Sequence, residues 1–98
     1  MPRNDLFEKS NRLVAAARTA LAKFLLVELE VAGSLLDAAD LTADANVRER
    51  RRSRATEATD TIAYHLAASG ARNALPQKTR EKLTEGLAVL RGRLANPT

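Results

Sequence analysis

The chain has no cysteine and no tryptophan, and among its 98 residues only one histidine, one tyrosine and two phenylalanines. Without cysteine there are no disulfides, no thiolate catalysis and no cysteine-ligated zinc. With aromatics at 3%, the 45% hydrophobic content is carried mainly by leucine and alanine. Small side chains let helices approach closely but bury little area each, so modest stability as a monomer is expected. The N-terminal segment MPRNDLFEKSNR lacks the apolar core of a signal peptide. No apolar run approaches the ~20 residues needed to cross a bilayer. A soluble, cytoplasmic protein is the expectation, with no membrane association.

Ninety-eight residues make one domain. The net charge of +4 is uneven. Residues 1–43 carry five basic and six acidic groups, residues 44–70 five and four, and residues 71–98 six and two. The surplus of +4 in the last third favours an acidic partner only mildly.

The dominant stretch is Leu13 to Leu41. At helical periodicity Leu21, Phe24, Leu25, Val27, Leu29, Val31, Ala32, Leu35, Leu36, Ala38 and Ala39 fall on one arc of roughly 200°. An arc that broad predicts cover from two neighbouring helices. Leu26 falls on the polar arc, and Glu28 falls near the centre of the apolar one. A carboxylate there must be paired, reach the edge or take up a proton.

The expected first helix runs from about residue 5 to residue 40, capped by Asn4 or Asp5, with a bend at Gly33-Ser34. Its length would be roughly 54 Å. A turn over residues 41–44 follows, with Asp44 as N-cap of a second helix at about 45–69 stopped by Gly70. Asp37, Asp40 and Asp44 lack the spacing and glycine of a calcium loop and read as turn residues. The second helix turns Val47, Arg51, Ala55, Ala58, Ile62, Leu66 and Ser69 inward, flanked by Arg54 and His65. Asn73 and Pro76 punctuate the next turn. Leu83, Leu87, Leu90 and Leu94 then recur at 4-3-4 spacing on a third helix of about 76–95. The fold class is all-α, a three-helix antiparallel bundle with a long first helix.

In that arrangement Glu28 lies level with Glu57, between Arg54 and Thr61; Arg54 is long enough to reach it and makes the expected buried polar pair, with an arginine of the third helix as the rival partner. The third helix, at roughly 30 Å, is too short to cover the first along its length. Leu6, Phe7, Leu13 and Val14 would overhang, and an exposed apolar strip of that kind marks a self-association surface, here a homodimer.

Arg48-Glu49-Arg50-Arg51-Arg52-Ser53-Arg54 is the sharpest local feature. Arg48, Arg50 and Arg52 are candidates for anion binding, because guanidinium groups neutralise phosphates. On a helix, however, these side chains point in nearly every direction, and no aromatic stacking residues accompany them. His65, beside Tyr64 and near Asp60, has no nucleophile, glycine-rich phosphate loop or metal spacing around it. No catalysis and no cofactor are expected.

The organisation resembles the helical hairpin units of tetratricopeptide-type and microtubule-interacting-and-transport-type domains. The residues concerned are Ala32-Gly33-x-x-Leu36, Ala55-x-x-Ala58-x-x-x-Ile62 and Leu83-x-x-x-Leu87-x-x-Leu90. Thr59 stands where those repeats place tyrosine, and no second repeat forms a solenoid. The resemblance implies a peptide- or protein-binding module without cofactors. Three readings stay open: a protein-interaction module, a nucleic-acid binder using Arg48–Arg54 and the basic third helix, and a structural homo-oligomeric assembly subunit.

Overall fold

The computed structural model describes residues 2–70 and 75–96, and the side chains of 6–68 and 75–96. Asn73, the side chain of Ser69 and the side chains of Asn4 and Asp5 lie outside the described residues. Among the described residues the protein is all-α, with no strand. Helix α1 spans Pro2–Leu41, α2 spans Ala45–Gly70 and α3 spans Gln77–Ala95. Helix α1 starts ahead of Asn4 and Asp5, because a proline at the first helical position is already set for helical φ and has no N–H to leave unsatisfied.

No proline or glycine cluster interrupts α1, and alanine, leucine, lysine and glutamate supply strong helix propensity throughout. At the α1–α2 turn the Asp44 carboxylate accepts hydrogen bonds from the backbone N–H groups of Asn46 (2.9 Å) and Val47 (3.2 Å). These are two of the donors that a helix start leaves without partners. Helix α3 has Pro76 as its N-cap, with no side-chain cap.

The core forms two connected clusters. Ala22, Leu25, Ile62, Leu75, Leu83 and Leu87 make the first, and Ala32, Leu36, Ala55, Ala58 and Leu90 the second. Advancing along α1 therefore goes with retreating along α2 and advancing along α3. Leu25, Leu36, Ile62 and Leu83 are the largest fully buried side chains. Burial of each contributes about 1.5–3 kcal/mol.

The covered stripe on α1 is narrower than its apolar arc. Ala22, Leu25, Ala32, Leu36 and Ala39 are buried, whereas Phe24, Val27 and Val31 stay exposed. Ala55 and Ala58 of α2 draw α1 in along the Leu25–Ala32–Leu36 line instead, and Val31 is left at the rim of the α1–α2 groove. Leu26, expected on the polar arc, is half-buried and packs on the first cluster. From Leu6 to Ala20 every residue of α1 is exposed. The molecule measures 65 × 20 × 16 Å, and its long dimension is that of α1.

Candidate functional site

One end of the molecule gathers the C-terminus of α1, the N-terminus of α2 and the C-terminus of α3, and the arginine cluster lies there. Arg48 Nη2 donates to the Thr42 carbonyl at 3.1 Å, and Arg51 Nη1 donates to the Ala38 carbonyl at 3.0 Å. Arg52 Nη2 donates to the carbonyls of Arg93 (3.3 Å) and Leu94 (3.0 Å). Carbonyls in the last turn of a helix have no intrahelical partner, and they carry the negative end of its dipole. Three guanidinium groups from α2 therefore cap the ends of α1 and α3. Cations near a helix N-terminus are ordinarily disfavoured. Here two facing C-termini offset that cost.

Arg93 completes this end. Its Nη2 lies 2.9 Å from Asp37 Oδ1 and 3.0 Å from Asp40 Oδ2. Burial opposes its charge, but the hydrogen bonds to Asp40 and Asp37 and the charges of both carboxylates outweigh that and hold its pKa above the ordinary value. The acidic residues at the end of α1 thus work against their own helix dipole and for α3. Arg52, Arg93, Asp40, Leu36 and Asn96 line a cavity of about 210 Å³. Of the arginines expected to meet an anion, Arg48 and Arg52 are half-buried on backbone carbonyls and Arg50 alone is exposed.

The Glu28–Arg54 pair is not formed. Both residues line a shallow groove of about 180 Å³ with Val31, Leu35, Glu57, Ala58 and Thr61, but no ion pair within 4.0 Å joins them among the described residues. Arg54 is exposed and Glu28 only half-buried. The reason is the narrower covered stripe, which leaves Glu28 at a wet edge where a lone charge is tolerated.

Tyr64 and His65 make an edge-to-face contact with centroids 5.3 Å apart. No hydrogen bond joins His65 to Asp60 among the described residues. No group of three or more potential metal ligands occurs among the described residues. No described helix is long and apolar enough to cross a membrane.

What remains is the outer face of α1. Leu6, Phe7, Leu13 and Val14 are exposed, as the overhang requires. Large apolar side chains are also exposed beyond the overhang, at Phe24 (47% accessible), Val27 (53%), Val31 (39%) and Leu41 (88%). Comparison with protein-family descriptions, curated proteins and solved structures finds no match to this chain.

Proposed function

We propose that this chain is a protein-interaction module: an antiparallel three-helix bundle whose long first helix is the working surface, with no catalysis of its own. The observation that carries this reading is the set of large apolar side chains left open along α1: Leu6, Leu13, Phe24, Val27 and Val31 on one side, with Phe7 and Val14 continuing the line of the core beyond it. Scattered exposed leucines are ordinary on a small protein. Several of them along one side of a helix mark a contact surface. The looser likeness to tetratricopeptide-type and microtubule-interacting-and-transport-type hairpins points the same way. The nucleic-acid reading is the weaker one, because Arg48, Arg51 and Arg52 already donate to helix-end carbonyls.

Affinity capture from a lysate of the source cell, with the native chain and the Leu13→Glu/Phe24→Glu variant as baits, tests the reading. A discrete set of proteins retained by the first and lost by the second is expected. Equal retention by both, with helicity unchanged, would overturn it.

A further inference from the structure

The exposed face of α1 is a regular seam. Leu6, Leu13, Val27 and Leu41 are spaced at multiples of seven residues, with Ala20 and Ser34 at the steps between, and Phe24 and Val31 occupy the alternate position four residues on, in line with Ser10, Ala17 and Ala38. Hydrophobic residues repeating 3-4 along a helix are the signature of a helix that supercoils with another. A second 3-4 series on the same helix, Ala22–Leu25–Leu29–Ala32–Leu36–Ala39, is already used by α2 and α3. Helix α1 therefore carries two seams, and only one is occupied within the chain.

The flank of the open seam away from the core identifies its occupant. At seven-residue steps it reads Lys9, Ala16, Lys23, Glu30 and Asp37, basic toward the N-terminus and acidic toward the C-terminus. Asp37 is held by Arg93, but neither Lys23 nor Glu30 has an ion-pair partner among the described residues. Reversed on a copy of itself, this flank sets Lys23 against Glu30, with Ala16 opposite Asp37. Charges at such flanking positions select partner and orientation in paired helices.

We infer that the open seam takes a second copy of this chain, paired antiparallel about a two-fold axis near residues 24–27. This rests on the interaction-module reading above and names its partner. Phe24 of each copy packs against Val27 of the other, and Lys23 faces Glu30 twice across the axis. Leu13 falls beside Ala38 of the second copy, and Ser10 beside Leu41. The overhanging part of each α1, exposed from Leu6 to Ala20, then lies along the outer face of the other copy's bundle. The two uncovered stretches are matched in length because they belong to the same helix.

Sedimentation equilibrium at low salt, together with cysteine cross-linking in this cysteine-free chain, tests the inference. The native chain is expected to be a dimer. Lys23→Glu or Glu30→Lys alone is expected to weaken it about tenfold, since two exposed pairs turn from attraction to repulsion. The two substitutions in one chain restore the native affinity. Chains carrying Ser10→Cys and Leu41→Cys are expected to form a mixed disulfide, with no Ser10→Cys homodimer. A native chain that stays monomeric, or no rescue in the double variant, would overturn the inference. So would a Ser10→Cys homodisulfide, which reports parallel pairing and leaves the interaction reading intact. Failure of the capture experiment alongside a native monomer would remove both.

Discussion

Gly86 packs so tightly on Leu29 that a Cβ added to the glycine would stand 2.5 Å from Leu29 Cδ1 and 3.1 Å from its Cγ. Gly92, one turn and a half further along, would meet nothing within 4 Å, and Gly33 on α1 likewise. Gly86→Ala is therefore expected to lower stability by about 1–3 kcal/mol, the overpacking of Leu29 exceeding the gain in helix propensity. Gly92→Ala is expected to raise it by about 1 kcal/mol. Urea unfolding of both variants checks the contrast. A gain from both would mean that Leu29 moves aside without cost.

The arginine cluster separates in the same way. Arg52→Met removes the donor to Arg93 and Leu94 and exposes the end of α3, with an expected loss of about 1–2 kcal/mol. Arg50 is exposed and makes no described hydrogen bond, so Arg50→Met should stay within about 0.5 kcal/mol of the native chain. Equal effects of the two substitutions would contradict the capping role. Generic duplex DNA at low salt adds a second readout, with only weak retention expected.

Arg93 joins two acidic groups that are themselves more than half exposed, so each contact is screened. Asp37→Asn and Asp40→Asn are each expected to cost under about 1 kcal/mol, and the cost should shrink in 1 M salt. Arg93→Met should cost more than either, because it leaves both carboxylates beside the dipole of α1 that opposes them. Thermal melts at two ionic strengths measure this ordering.

The two seams of α1 predict opposite phenotypes. Leu25→Ala empties a fully buried position and is expected to cost about 2–5 kcal/mol. Leu13→Ala lies on the exposed overhang and should leave the unfolding of a dilute monomer unchanged. Unfolding followed at micromolar concentration distinguishes them.

Much of this architecture could be read in the residues. The 4-3-4 leucines place Leu83, Leu87 and Leu90 in the core, and Asp44 caps α2 through its carboxylate. Which part of the α1 arc is covered could not be read, because Phe24 and Val31 are as apolar as Leu25 and Ala32. Only the small residues of α2, meeting α1 in space, settle the choice. The same error placed Glu28 too deep and turned Arg54 inward. The burial of Leu75 next to the α2–α3 turn and of Thr59, whose hydroxyl donates to the Ala55 carbonyl at 2.7 Å, left no periodic signal. The arginines were legible as a cluster but not as caps. A guanidinium acts far from its own Cα, and three helix ends had to meet before its acceptors existed.

The overhang of α1 gives the protein two levels of cohesion. Where α2 and α3 lie alongside, the helix is held by the core; between Leu6 and Ala20 it holds only through its own local preferences. Amide protons there should exchange with solvent well before those near Leu36, and heating a dilute sample should fray this segment first. Raising the concentration should slow that exchange, so that the order of the N-terminal arm reports how crowded the protein is with its own kind.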